Sequence, residues 1–317
     1  MLAVAVPALL CGAWGFYAHR QINQLAVFTL PPPLIAFYKK HNAYITEASV
    51  NPDRRRFAVP EEAPRHYIDI DHFGDSAVFT MPRQWQDAVA KYTEDTLKAY
   101  GILPWHLVTT YYRLRDAFFV RDAALVLRLS ADLGHYVADA HVPLHTTENY
   151  NGQLTGQEGI HAFWESRVPE LMAGEYNFWV GRARYEPNIV QRVWEAIVQS
   201  HLKVDTVLTV ERQLTKEFGE RKYSFETRGR QTVRVYSREF TYAYHKALNG
   251  MVERQMRAAV KMTGDLWYSA WADAGQPDVQ ELLNYKPGEA ELEQRRLELE
   301  EWKRGMLRVR PHEDAGR

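Results

Sequence analysis

Apolar residues recur at three- and four-residue intervals along most of the chain, which is the spacing of one face of an α-helix. Segments with this pattern lie at roughly 16–27, 32–48, 83–100, 104–118, 121–141, 158–172, 187–217 and 236–273. Between Arg221 and Val235, β-branched and aromatic residues alternate with polar ones, a pattern that allows a short hairpin. The sequence therefore predicts an all-α fold, a single mostly helical domain with one short hairpin at most.

One long stretch interrupts the helical pattern. It runs from Val50 to Gly74, is rich in Pro, Asp and Arg, and predicts a long ordered loop. Loops of that length inside a compact domain usually have a function. We therefore expect functional side chains in this stretch.

The two ends of the chain differ from the helical body. Residues 1–13, MLAVAVPALLCGA, are apolar or small and end in a small-x-small pattern, which is typical of a secretory signal peptide. A buried N-terminal helix or strand is the alternative interpretation. Residues 287–317 are dominated by Glu and Arg and predict a solvated helix or a partly disordered tail. The expected organisation is a signal peptide at 1–13, a domain at 14–286 and a charged tail at 287–317, in an exported protein.

Composition narrows the class of partner and the class of metal site. The 39 Lys and Arg nearly cancel the 40 Asp and Glu, so no basic field predicts a reader of duplex DNA. No stretch is long and apolar enough to predict a transmembrane segment. The only cysteine, Cys11, lies in the predicted signal peptide, which excludes structural disulfides and Cys-rich zinc sites.

Five ligand-type side chains fall close together in the sequence. His135 and Asp139 are four residues apart on a predicted helix, which puts them on one face about one turn apart. His161 and Glu165 repeat this spacing, and His145 lies between the two pairs. Either pair alone is more often a surface ion pair. The two pairs together, with a histidine between them, predict a metal site.

Zinc suits this set of ligands, because imidazole and carboxylate both bind it at neutral pH. The lack of cysteine ligands favours a catalytic site with an open position for water. Such an ion lowers the pKa of bound water from about 15.7 to about 7, and two or three ions can clamp the oxygens of a phosphate. The ligand chemistry is thus compatible with hydrolysis of a phosphate ester.

The ligand order resembles that of a known family. The chain has, in order, Trp14 at the expected cleavage site, His19, Asp53, His66, His135-x-x-x-Asp139, His145 and His161-x-x-x-Glu165. This looks like zinc-dependent phospholipase C and its relatives, the single-strand-specific zinc nucleases. The resemblance runs from Trp14 to about Glu170, half of the chain, and is specific because the ligands match in order and approximate spacing.

The resemblance implies a trinuclear zinc centre. The first zinc would be held by His66, His135 and Asp53, with Asp139 as a bridge. The second zinc would be held by His145, His161 and Glu165. The third would be held by Asp139, His19 and the free amino group and carbonyl of Trp14. Three zinc ions are expected if the chain is cleaved before Trp14, and two otherwise.

The resemblance also implies a reaction. A metal-bound hydroxide would attack a phosphodiester in line, with Asp53 near the attacking water as ligand, general base or both. In the nucleases an aromatic ring and an acid hold a base, so Tyr67 and Asp69 are the expected substrate-binding residues here. The alternative is that Tyr67 packs and Asp69 is structural.

Two substrate classes remain open at this stage. Glu165 as last ligand, the short interval after His145 and the absence of mature cysteines resemble the phospholipases, so a phospholipid headgroup is the leading expectation. The long segment after Tyr176, with Tyr67 and Asp69, favours a single-strand-specific endonuclease or 3'-nucleotidase acting on DNA or RNA. A non-catalytic, zinc-stabilised binding protein is a further alternative. The sequence does not indicate an oligomeric state.

Overall fold

Helices make up most of the part of the chain that the computed structural model describes, residues 15–32, 34–228 and 231–303. In chain order they are α1 (Phe16–Ala26), α2 (Leu34–Lys40), α3 (Asn42–Ala48), α4 (Asn51–Arg55), α5 (Ala77–Thr80), α6 (Trp85–Tyr92), α7 (Glu94–Tyr100), α8 (Leu103–Phe119), α9 (Ala123–Asp139), α10 (Ile160–Ala162), α11 (Val168–Met172), α12 (Ile189–His201), α13 (Val204–Phe218), α14 (Arg238–Ala247), α15 (Met251–Asp273), α16 (Gln280–Leu283) and α17 (Glu289–Lys303). The predicted all-α class is therefore confirmed.

The predicted hairpin is present as well. Strands β1 (Tyr223–Arg228) and β2 (Gln231–Tyr236) pair antiparallel, with Tyr223 opposite Tyr236 and Phe225 opposite Arg234. The Tyr236 ring stacks on Phe163 with centroids 3.9 Å apart, which attaches the hairpin to the helical body.

Helix α9 lies at the centre of the fold. Asp122 caps its first turn by accepting from the Leu125 amide, and every residue from Leu129 to Asp139 is buried. Helices α1, α3, α8 and α15 pack around it. Gly134 allows α1 to approach, because a Cβ at this position would lie 2.2 Å from Asn23 Oδ1. Polar residues between Leu129 and Asp139 are thus buried and need partners inside the protein.

Several predicted helices are divided in two. The pattern at 83–100 forms α6 and α7, because Thr93 has a φ of 67° and its hydroxyl accepts from the Thr96 amide. The pattern at 236–273 forms α14 and α15, with Gly250 in the left-handed conformation between them. Single residues of unusual backbone conformation therefore set the helix boundaries.

The stretch from Val50 to Gly74, predicted to be a long loop, contains helical structure. Helix α4 begins at Asn51, with Pro52 in its first turn, where a missing amide costs no hydrogen bond. Two 3₁₀ helices follow, at Pro60–His66 and Ile70–Phe73. These short helices fix the directions of side chains that an irregular loop would leave variable.

The ends of the chain are described only in part. The predicted signal peptide, Cys11 and Trp14 lie outside the described residues, and so do residues 304–317. The described part of the charged tail forms α17, a polar helix. Across the described ranges, no helix combines the length and the apolar character needed to cross a membrane.

Candidate metal centre

Eight of the nine predicted metal ligands lie together inside the helical body. His19 is on α1, Asp53 on α4, and His66 is the last residue of a 3₁₀ helix. His135 and Asp139 are one turn apart near the end of α9. Pro143 begins the 3₁₀ helix that carries His145, and His161 lies on α10. Glu165 lies on a π-helical turn, Phe163–Arg167, a feature that is frequent at functional sites.

A first cluster, which we call the Asp139 group, consists of His19, Asp53, His66, His135 and Asp139. His66 Nδ1 lies 3.0 Å from Asp139 Oδ2 and 3.0 Å from His135 Nε2. His135 Nε2 is 3.2 Å from the same Asp139 oxygen. Asp53 Oδ1 completes the set at 3.7 Å from His66 Nδ1 and 3.8 Å from His135 Nε2. Four atoms thus converge at about the spacing of ligands around one tetrahedral zinc ion, roughly 3.4 Å.

His19 approaches the same cluster from α1. Its ring stacks on that of His135 with centroids 3.9 Å apart, and its Nε2 lies 3.6 Å from Asp139 Oδ1. The same nitrogen is 4.0 Å from Asp53 Oδ2. His19 therefore faces the second oxygen of Asp139, which leaves the first oxygen to His66 and His135.

A second cluster, the Glu165 group, consists of His145, His161 and Glu165. The two imidazole Nε2 atoms are 3.0 Å apart, and Glu165 Oε2 lies 3.0 Å from His161 Nε2 and 3.4 Å from His145 Nε2. The two clusters adjoin, because His145 Nδ1 is 3.5 Å from Asp139 Oδ1. All three side chains of the Glu165 group are buried.

Backbone carbonyls fix the tautomers of two of these histidines. His135 Nδ1–H donates to the Ser49 carbonyl at 2.8 Å, and His145 Nδ1–H donates to the His66 carbonyl at 2.8 Å. A carbonyl oxygen can only accept, so Nδ1 carries the proton and Nε2 presents its lone pair to the cluster. Metal-binding histidines are usually held in this way.

Buried histidines and carboxylates shift one another's pKa values in this centre. Burial acts to lower the pKa of His135, but Asp139 and Asp53 outweigh it and raise the pKa to about 9. Burial raises the pKa of Asp53 above its ordinary value. Burial also acts to raise the pKa of Glu165, but His161 and His145 hold it at about 2. Carboxylates are thus buried close together beside histidines, and a bound cation would compensate their negative charge.

The donor set fits metal ions. Both carboxylate oxygens of Asp53, and Oδ1 of Asp139, are buried and accept no hydrogen bond from the residues that the structure describes. Unsatisfied buried carboxylate oxygens are costly, and coordination of a cation would satisfy them. The buried histidine and carboxylate groups could therefore hold metal ions.

Arg56 is a residue of the centre that sequence analysis missed. It follows α4, is buried, and its Nη1 lies 3.7 Å from Asp53 Oδ1. Burial lowers the pKa of His161 and the Arg56 charge adds to this effect, whereas in His145 the Arg56 charge opposes the rise in pKa that Asp139 and Glu165 cause. One buried guanidinium therefore acts on both ligand groups. The sequence offered a single signal for this role, the three-residue spacing from Asp53.

The predicted substrate-binding residues follow directly after His66. Tyr67 is partly exposed, and its carbonyl accepts from the Leu103 amide. Asp69 is only 3% exposed, and its amide donates to the Tyr100 carbonyl. Tyr67 is thus partly open to solvent, whereas Asp69 is enclosed.

Comparison of the chain with models of protein families found no match, and a search among curated proteins found no significant match. The arrangement of the side chains therefore carries the functional argument.

Proposed function

We propose that this chain is a zinc-dependent hydrolase that cleaves phosphodiesters, with phospholipase C-like chemistry. The observation that carries the proposal is the meeting of two buried ligand groups at Asp139. Its Oδ2 lies 3.0 Å from His66 Nδ1, and its Oδ1 lies 3.5 Å from His145 Nδ1. Adjacent metal sites suit phosphate esters, because two ions can hold the attacking and leaving oxygens together.

The chain's own residues would supply the remaining functions. When bound, the ions would activate water and neutralise phosphate charge. Asp53 has carboxylate oxygens that accept no hydrogen bond within the described part of the chain, so one of them can take the proton of the attacking water. Arg56 would bind a phosphate oxygen, since its guanidinium is buried 3.7 Å from Asp53 Oδ1.

A phospholipid headgroup is the substrate that we propose first. Support comes from the sequence, in which Glu165 is the last ligand and only a short loop separates His145 from His161. A single-strand-specific nuclease is the second candidate. It is supported by Tyr67, a partly exposed aromatic residue that directly follows His66 and on which a base could stack.

The test is an assay of the purified, zinc-loaded chain on two substrates, a choline phospholipid in vesicles and single-stranded DNA. We expect release of phosphocholine from the lipid and little cleavage of DNA. The same preparation stripped of metal with a chelator is the control, and it should be inactive on both substrates and recover with zinc.

Cleavage of DNA alone would replace the phospholipase proposal by the nuclease proposal. Activity on neither substrate, with zinc bound, would overturn both and leave a zinc-stabilised binding protein.

A further inference from the structure

Behind the Asp139 group lies a buried carboxylate that is not one of its ligands. Glu62 is 1% exposed and sits on the 3₁₀ helix that ends at His66, one turn away. The His66 ring has Nδ1 toward Asp139 and His135, and its Nε2 lies 3.6 Å from Glu62 Oε1. The imidazole therefore stands between the ligand cluster on one side and Glu62 on the other.

Glu62 is itself held from three directions. The Tyr136 hydroxyl donates to Oε1, Arg65 Nη1 donates to Oε2 at 2.7 Å, and Arg55 Nε lies 3.5 Å from Oε2. The guanidinium groups of Arg55 and Arg65 compensate the negative charge of this buried carboxylate. A side chain held by this many charge-assisted contacts has little freedom to move.

The contacts of Glu62 extend to other segments that carry ligands. Arg55 makes a bidentate pair with Asp132 on α9, at 3.2 and 3.0 Å. Arg55 follows the ligand Asp53 by two residues, and Tyr136 directly follows the ligand His135. The network thus links the segments that carry Asp53, His66 and His135 through residues that are not themselves predicted ligands.

The ring nitrogen of His66 that points away from the cluster has a different kind of neighbour from the corresponding nitrogens of His135 and His145. Those two donate Nδ1–H to backbone carbonyls, whereas Nε2 of His66 faces a charged side chain. The separation of 3.6 Å is longer than a hydrogen bond, so Glu62 acts on Nε2 through its charge. A negative charge beside one ring nitrogen favours the tautomer with the proton on that nitrogen, and it increases the basicity of the nitrogen that binds metal.

We propose that Glu62 is a positioning residue that keeps the proton of His66 on Nε2 and thereby strengthens metal binding by the Asp139 group. The inference rests on the metal-binding part of the proposed function and not on the ester that is cleaved. Its test is therefore a binding measurement, and a failure to find the substrate would leave it standing.

The test is a zinc titration of the metal-stripped full chain against a chromophoric chelator, for wild type and Glu62→Gln. The amide keeps the size of the side chain and removes its charge. We expect one zinc equivalent to bind about 10 to 100 times more weakly. The equivalent held by His145, His161 and Glu165 should keep its affinity. This split between the two equivalents separates positioning from a general effect on folding.

Asp265→Asn is the matched control. Asp265 is 7% exposed on α15 and accepts from the Arg184 amide at 2.7 Å, away from both ligand groups. The same loss of a buried carboxylate should leave both zinc affinities unchanged. Should Glu62→Gln fail to fold, Tyr136→Phe replaces it, since it removes only the hydroxyl that donates to Glu62. That variant should weaken the same equivalent about tenfold.

Two results would overturn the inference. The first is that both zinc equivalents of the Glu62 or Tyr136 variant bind within about twofold of the wild-type affinity. The other is an equal fall in both equivalents, which would assign Glu62 to the stability of the whole fold.

Discussion

The two ligand groups are built in different ways. The Glu165 group takes its three ligands from residues 145–165, has one carboxylate, and adjoins the hairpin through Phe163. The Asp139 group collects its ligands from α1, α4, α9 and the 3₁₀ helix that ends at His66, and it has two carboxylates. The local group is readable from sequence, whereas the second group exists only because distant segments pack around α9. We therefore expect metal binding by the Asp139 group to be more sensitive to substitutions in neighbouring residues than metal binding by the Glu165 group.

The largest effect is expected from Asp139→Asn, because Asp139 contacts both groups. Zinc content should fall to one equivalent or less, and kcat/KM for phosphodiester hydrolysis should fall at least about 100-fold. Elemental analysis and steady-state kinetics measure these changes, with Asp265→Asn as the control. If this variant keeps wild-type zinc content and rate, Asp139 is not a bridge.

A smaller loss of metal is expected from Glu165→Gln. The variant removes the only carboxylate of the Glu165 group, while the Asp139 group keeps Asp53 and Asp139. One zinc equivalent should weaken by roughly 100-fold and the other should bind as in wild type. The titration designed for Glu62 measures both. Glu62→Gln and Glu165→Gln should weaken different zinc equivalents. If both variants weaken the same equivalent, the Asp139 group and the Glu165 group form one site.

Arg56→Gln should lower the rate without loss of metal. The Arg56 cation repels other cations near Asp53, so its removal should leave zinc affinity equal or higher. Loss of its contact to phosphate should lower kcat/KM about 100-fold. Arg54→Gln, two residues earlier and partly exposed, is the matched control and should keep wild-type kinetics. Reduced zinc content in Arg56→Gln, with an unchanged rate per bound zinc, would contradict this role.

Local patterns in the sequence predicted the helical class, the hairpin and the ligand pairs. The spacing of His135 and Asp139 is a property of one helix, so it can be read without knowing the fold. The helix breaks at Thr93 and Gly250 were missed, because apolar periodicity does not report the conformation of single residues. Arg56 and Glu62 were missed because their positions depend on how α4 and the 3₁₀ helix at Pro60–His66 pack against α9. Each role has one local signal, the three-residue spacing of Asp53 and Arg56 or the four-residue spacing of Glu62 and His66, and such a spacing alone does not indicate a role.

The zinc content of the purified full chain tests the central claim most directly. Protein expressed in medium with zinc, then desalted, is analysed for metal per chain by elemental analysis. The account predicts at least two zinc ions per chain, removed by a chelator and restored by zinc, with a melting temperature that rises on reloading. Fewer than two zinc ions per chain in folded protein, with no change in melting temperature on adding zinc, would contradict it.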